Sequence, residues 1–140
     1  MGNMKLMIVD DEERFLNTTR SIFEKKGIHT FIAANGADAM NILDRERIDV
    51  VILDVKMPGL DGIEALRVMK KSHPFVEVIM LTGHANMEVA IQGMELGAFD
   101  YLMKPMDIDE LLYKLQDAYR KRRCAADMEK CAAMRTTEME

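Results

Sequence analysis

The stretch Val50-Val51-Ile52-Leu53-Asp54 decides the fold, because four consecutive apolar residues end directly in an acid. A strand that is apolar at every position is typical of the centre of a parallel sheet, where helices cover both faces. Similar short runs occur at 6–9, 30–34, 76–81 and 99–102. Between them, apolar residues recur at helical spacing, at 13–26, from 36, at 63–71, at 87–96 and from 107. Five such repeats predict an α/β protein with a parallel sheet and right-handed crossovers.

Polar side chains stand directly after four of these five strands. Asp10 and Asp11 follow the first strand, and Asp54 follows the third. Thr82 follows the fourth strand, and Lys104 follows the fifth. Ligands of open α/β sheets bind outside the carboxyl ends of the strands, where the strand order reverses. The sequence therefore predicts one functional site that gathers these five residues.

The residue types at this edge indicate phosphoryl transfer to a carboxylate. Three carboxylates in one crevice repel each other unless a cation is present, and oxygen ligands select a hard cation such as Mg²⁺. A lysine holds an anion, a threonine adds a hydroxyl donor, and a carboxylate can act as the nucleophile. Each acid taken alone also fits a simple helix N-terminal cap. Five placements at the same edge favour a site over five separate caps.

Length and composition exclude several other classes of protein. The chain has 140 residues, enough for one domain, and its net charge of −5 argues against binding nucleic acid through a basic face. It contains no apolar run long enough to span a bilayer and no signal-peptide pattern at its start. We expect a cytoplasmic protein that binds neither membrane nor nucleic acid directly. The two cysteines, Cys124 and Cys131, would lie about 10 Å apart on one helix face, too far for a disulfide.

Four blocks of sequence resemble the receiver domains of bacterial two-component systems, over roughly residues 4 to 122. They are Ile8-Val9-Asp10-Asp11-Glu12, Leu53-Asp54-Val55-Lys56-Met57-Pro58-Gly59-Leu60-Asp61-Gly62, Leu81-Thr82-Gly83-His84 and Gly97-Ala98-Phe99-Asp100-Tyr101-Leu102-Met103-Lys104-Pro105. The last block, with residues 107–111, is similar to receivers that precede nitrogen-regulation-type transcription activators. The resemblance implies a flavodoxin-like, doubly wound (βα)5 fold with strand order 2-1-3-4-5.

The resemblance also assigns roles to the acidic residues. Asp54 would accept a phosphoryl group from a phosphohistidine of a histidine kinase or a phosphotransfer protein. Asp11 and Asp54 would bind Mg²⁺, with the backbone carbonyl of Lys56 as a third ligand and Asp10 acting mainly through water.

Further roles fall on the last two strands. Thr82 and Lys104 would bind the phosphate oxygens, and a cis peptide bond before Pro105 would place the lysine. Tyr101 would be a switch residue that turns inward when Thr82 moves, although an ordinary edge-strand aromatic would look the same. His84 would tune the lifetime of the phosphoryl group.

The sequence leaves the wider architecture open. Residues 1–122 would form the receiver, and 123–140 a helical tail or linker remnant, without a helix-turn-helix segment or a Walker A motif. The chain would be a stand-alone receiver or a part of a longer regulator. It would signal through its fourth helix, fifth strand and fifth helix to a downstream protein or a fused output domain, and a homodimer is a further expected assembly.

Two alternatives compete with the phosphorylation-controlled switch. A haloacid-dehalogenase-like phosphatase also uses an aspartate nucleophile but needs an acid two residues later, where this chain has Lys56. We therefore expect no enzyme activity beyond the chain's own phosphorylation and dephosphorylation. The other alternative is a dimerisation or protein-interaction module that works without phosphorylation, which the intact acidic cluster argues against.

Overall fold

Five parallel strands alternate with five helices in the computed structural model, which describes residues 3–55, 62–83 and 86–139, with residues 125–139 described by backbone alone. The strands are β1 Lys5–Val9, β2 His29–Ala33, β3 Val50–Leu53, β4 Glu77–Thr82 and β5 Asp100–Met103. The helices are α1 Glu13–Lys25, α2 Gly36–Arg45, α3 Gly62–Ser72, α4 Met87–Glu95 and α5 Ile108–Met139. The alternation and the element types are as predicted, with ends displaced by a residue or so.

The strand order is β2-β1-β3-β4-β5, which confirms the predicted doubly wound fold. The order reverses between β1 and β3, so the crevice expected to bind ligands opens where these two strands end. Every residue of β3 and β4 is buried, in agreement with the central position predicted for Val50–Leu53.

The core divides into two layers because successive strand residues point to opposite faces of the sheet. Val51 and Leu53 pack into the layer under α2, α3 and α4, whereas Val50 and Ile52 pack into the layer under α1 and α5. Phe23 of α1 is fully buried in the second layer. This packing on both faces holds the sheet, and hence the ends of its strands, in one arrangement.

The helix ends follow the capping chemistry of the sequence. Asn35 accepts a hydrogen bond from the backbone N–H of Asp38 at the start of α2. Gly27 and Gly97 have φ of 85° and 101°, and each follows the last turn of a helix, α1 and α4, as predicted for helix-ending glycines. Helix α5 continues without a break past Tyr119 to Met139, although its apolar stripe weakens there. Among the described residues, no helix is both long and apolar enough to cross a membrane.

Candidate functional site

The acidic residues are placed by hydrogen bonds that continue the sheet one step beyond the strands. The backbone N–H of Asp10 donates to the carbonyl of Ala33, and that of Asp54 donates to the carbonyl of Val9. The pairing of β1 with β2 and of β3 with β1 therefore extends to these two aspartates and positions their backbone. Asp10 and Asp54 lie at the strand-order reversal, where the sequence predicted the site.

Three carboxylates meet at this point. One carboxylate oxygen of each of Asp10, Asp11 and Asp54 lies within 4.8 Å of the other two. Asp10 and Asp54 are buried, at 1% and 8% exposure, whereas Asp11 is exposed. The backbone N–H of Glu12 donates to Oδ1 of Asp10 and fixes that side chain. Opposite ligands of a magnesium ion lie about 4 Å apart, so this set of oxygens fits Mg²⁺ after small movements.

Lys104 supplies the positive charge of the cluster. Its Nζ atom lies 2.5 Å from Oδ2 of Asp10 and 3.7 Å from Oδ2 of Asp54. Its backbone N–H donates to the carbonyl of Thr82, which ties the end of β5 to the end of β4. The bond to Pro105 is cis, as predicted. The ammonium group therefore approaches both carboxylates from the edge of the sheet that β5 forms.

Thr82 and Tyr101 occupy different levels of the sheet. Thr82 is the last residue of β4 and is fully buried, so it lies at the same edge as the carboxylates. Tyr101 pairs in register with Met80, two residues before Thr82. Its half-buried ring packs against the core layer under α4. The role of Tyr101 as a switch stays a prediction, and the proposed roles of Lys56 and His84 fall on residues outside those described.

One residue beside the cluster was not predicted from the sequence. Phe15 falls in the segment 13–26, where the apolar residues recur at helical spacing, and it packs partly against the core. Its ring also lies beneath the ammonium of Lys104, with Nζ 4.1 Å from the ring centroid. The available signal was the position of an aromatic residue in the first turn of α1, four residues after Asp11, facing the same edge.

An exposed apolar surface lies away from this cluster, and we call it the α4–β5–α5 face. On α4, Met87, Ile91 and Met94 follow each other at helical spacing and are 79%, 52% and 47% exposed. Met103 of β5 and Tyr113 of α5 add two further exposed apolar side chains. Large exposed apolar side chains on three adjacent elements are typical of a protein-binding surface.

This fold, with this cluster at the strand ends, matches a known protein family. The family model for the response regulator receiver domain matches residues 6–116. The chain belongs to the response regulator receiver domain family. Sporulation initiation phosphotransferase F of Bacillus subtilis is 41% identical over 121 residues, which cover 86% of this chain and 94% of that protein.

Other relatives are longer proteins. A putative NtrX-like response regulator of Rickettsia bellii is 37% identical over 120 residues, covering 84% of this chain but 25% of the relative. Among solved structures, a CheY-like receiver domain from Methanospirillum hungatei superposes with a TM-score of 0.84 at 30% identity, covering 87% of this chain and 98% of that one. The predicted family is confirmed, and the NtrX-like relative agrees with the nitrogen-regulation-type subclass. The chain is a receiver domain of a two-component system.

Proposed function

We propose that Asp54 accepts a phosphoryl group from a phosphohistidine, carried by a histidine kinase or a phosphotransfer protein, in a Mg²⁺-dependent reaction. The observation that carries this proposal is the position of the Lys104 ammonium at the strand-order reversal, 2.5 Å from Oδ2 of Asp10 and 3.7 Å from Oδ2 of Asp54. A buried carboxylate beside a cation-binding set and a lysine has a nucleophile, a charge-neutralising partner and an anion clamp in one place.

The chemical step requires little beyond positioning. A carboxylate oxygen of Asp54 forms a bond to phosphorus while the phosphorus–nitrogen bond of the donor breaks, and the imidazole nitrogen keeps the electron pair. Lys104 and the hydroxyl of Thr82 would stabilise the negative charge on the transferred oxygens. Asp10, Asp11 and Asp54 would hold Mg²⁺, which neutralises phosphate charge when bound. Because the acceptor is the chain itself, we propose a stoichiometric switch rather than an enzyme that acts on other molecules.

The consequence of phosphorylation would be read at the α4–β5–α5 face. Phosphorylation adds charge at Asp54 and biases a two-state equilibrium between conformations. Thr82 ends β4, and its carbonyl accepts the backbone N–H of Lys104, which follows β5. Because β5 is also part of the α4–β5–α5 face, this pairing gives a short connection between the cluster and the face. The partner would be a downstream protein, an output domain or a second copy of the chain, and we propose that it acts in the cytoplasm.

Phosphorylation is tested by intact mass spectrometry after incubation with Mg²⁺ and acetyl phosphate. We expect the mass gain of one phosphoryl group, its removal by hydroxylamine as for an acyl phosphate, and no gain with Asp54→Asn. The matched control is Asp100→Asn, because Asp100 is a half-buried aspartate that pairs with Lys114 outside the cluster. A gain that persists in Asp54→Asn, or no gain in the unmodified sequence, would exclude Asp54 as the acceptor.

A second candidate function is binding that does not depend on phosphorylation, and the exposed stripe on α4 is the observation that favours it. Partner affinity decides between the two functions. The affinity is measured with and without beryllofluoride, a phosphoryl mimic. A switch gives two different partner affinities, whereas a constitutive module gives the same affinity in both conditions.

A further inference from the structure

The aromatic ring of Phe15 forms part of the floor beneath Lys104. Nζ of Lys104 lies 4.1 Å from the ring centroid, well inside the range of about 6 Å at which a cation and a ring attract each other. The lysine side chain is only 19% exposed, so water competes weakly for the ammonium there. Phe15 is the neutral contact of an ammonium whose other described contacts, Asp10 and Asp54, are charged.

A lysine needs such support if it is to meet a phosphoryl group reliably. Its four-carbon stem has many rotamers, and holding the ammonium in one position costs conformational entropy. The contact with Asp10 at 2.5 Å holds the ammonium on one side of the crevice. An electron-rich ring face attracts the cation without adding a negative charge that would repel an incoming phosphate. A leucine at position 15 would fill part of the same space but lacks this attraction.

We propose that Phe15 is a positioning residue for phosphoryl transfer, holding the ammonium of Lys104 where it meets the transferred group. This proposal rests on the proposed function, since it assigns Lys104 to the phosphate oxygens. It goes further by making an aromatic ring at position 15 a requirement of the site. The residue acts through Lys104 and touches neither the acceptor carboxylate nor the metal ligands in the described contacts.

The first test is a spectroscopic one on the unmodified chain, and it does not depend on phosphorylation. Protons above a ring face are shifted upfield by the ring current. We expect upfield-shifted ε-methylene protons of Lys104, which return toward ordinary values in Phe15→Leu. Absence of that shift in the unmodified sequence would overturn the contact whether or not Asp54 accepts phosphate.

The second test separates anion binding from metal binding. We expect Phe15→Leu to weaken beryllofluoride binding and to slow phosphorylation by acetyl phosphate about 3- to 10-fold, the range of a partly buried cation–π contact. Mg²⁺ affinity should stay within about two-fold of the original, because the contact described for the ring is with the ammonium of the lysine. Phe15→Tyr, which keeps the ring, should restore both measurements.

Leu16→Val is the matched control for damage to the core. Leu16 is the next residue of α1 and is 3% exposed, so its truncation lowers thermal stability without touching Lys104. We expect beryllofluoride affinity to be unchanged in this variant. The proposal is overturned if Leu16→Val weakens beryllofluoride binding as much as Phe15→Leu does, or if Phe15→Tyr fails to restore that binding. If the unmodified chain gains no phosphoryl group while the upfield shift is present, the proposed function fails and the contact stands.

Discussion

The Nζ atom of Lys104 lies 2.5 Å from Oδ2 of Asp10, and this ion pair joins the end of β5 to the end of β1 across the two strands between them. The same carboxylate belongs to the cluster of oxygens that fits a divalent cation. A metal ion held by this cluster would therefore compete with the ammonium for the carboxylate of Asp10. Binding of the metal would have to proceed against the positive charge of the lysine.

Replacement of Lys104 by methionine should strengthen Mg²⁺ binding while it impairs phosphorylation. Removing the ammonium leaves three carboxylates without their internal cation, so the metal gains attraction to the site. We expect a rise in affinity of about 3- to 10-fold after allowance for screening by water. Isothermal titration calorimetry with MgCl₂ measures it. Lys114→Met is the control, since Lys114 pairs with Asp100 away from the cluster, and equal affinities in both variants would contradict the prediction.

Gly62→Ala should be strongly destabilising, because no space exists for a side chain at that position. A Cβ atom on Gly62 would lie 2.2 Å from the Cα atom of Val55, whose carbonyl accepts the Gly62 backbone N–H. We expect the free energy of unfolding to fall by about 2 kcal/mol or more. Gly83→Ala is the control because a Cβ there would meet no heavy atom of the described residues within 4 Å, its own residue and chain neighbours aside, and its effect should stay within about 0.5 kcal/mol. Urea denaturation followed by circular dichroism compares the two, and similar midpoints would refute the steric argument.

The sequence was sufficient to predict the fold and the grouping of Asp10, Asp54 and Lys104 at one edge of the sheet, because both depend on regular patterns. A fully apolar strand marks the sheet centre, and polar residues that follow parallel strands share one edge. Asp10, Asp54 and Lys104 could thus be grouped before any distance was known. Their pairing could not, since nothing in the spacing says that the ammonium lies closer to Asp10 than to Asp54.

The contacts missed were those that the sequence pattern does not distinguish from ordinary packing. Phe15 fits the apolar stripe of α1, and the spacing of a core residue is identical to that of a residue beneath an ammonium. Glu77 is 4% exposed at the start of β4, and its ion-pair partner is Lys121, 3.6 Å away on α5. Such pairs depend on how α5 crosses the sheet, which local sequence does not encode.

The amino end of the sheet offers a prediction about pH, centred on Lys70. The Nζ atom of Lys70 donates hydrogen bonds to the carbonyls of Pro74 and Val76. Burial lowers the pKa of Lys70 below its ordinary value of 10.5, the carboxylate of Glu77 opposes this shift, and Lys121 adds to it. The unfolded chain therefore binds more protons than the folded chain between the lowered pKa and 10.5.

Stability relative to a Lys70→Met variant should accordingly rise with pH across that interval. Below the lowered pKa the cost of burying the charge is fully present, and above 10.5 it is gone. Because Lys70 is only half buried, we expect a gain below about 1 kcal/mol. Urea denaturation at a series of alkaline pH values measures the difference between the two proteins. A constant or falling difference would show that the folded state does not release the Lys70 proton early.

Lys114 is the control for this measurement because its shift has the opposite sign. A hydrogen bond and the charge of Asp100 raise the pKa of Lys114 above 10.5. Its contribution is therefore present below 10.5 and is lost as pH rises through the raised pKa. Relative to Lys114→Met, the unmodified sequence should lose stability in strongly alkaline solution. Two trends of the same sign would rule out these local causes.

The last prediction concerns the connection from the proposed phosphoryl site to the α4–β5–α5 face. Thr82 is fully buried at the end of β4, and its carbonyl accepts the backbone N–H of Lys104. Movement of this residue toward a phosphoryl group would be transmitted directly to β5, where Tyr101 lies. A side chain without a hydroxyl has no such attraction to the phosphoryl oxygens. Binding of the anion should therefore no longer change the conformation of the α4–β5–α5 face.

We therefore expect Thr82→Ala to bind beryllofluoride at saturation and yet to transmit little of its effect. In nitrogen-15 correlation spectra, the shift changes of Tyr101 and Ile91 on anion binding should fall to less than about half of those in the unmodified sequence. Thr30→Ala is the matched control. Thr30 is also a buried threonine, but its hydroxyl donates a hydrogen bond to the carbonyl of Ile28, directly before β2. Full-size changes at Tyr101 in Thr82→Ala would mean that the signal reaches the face through Lys104 alone.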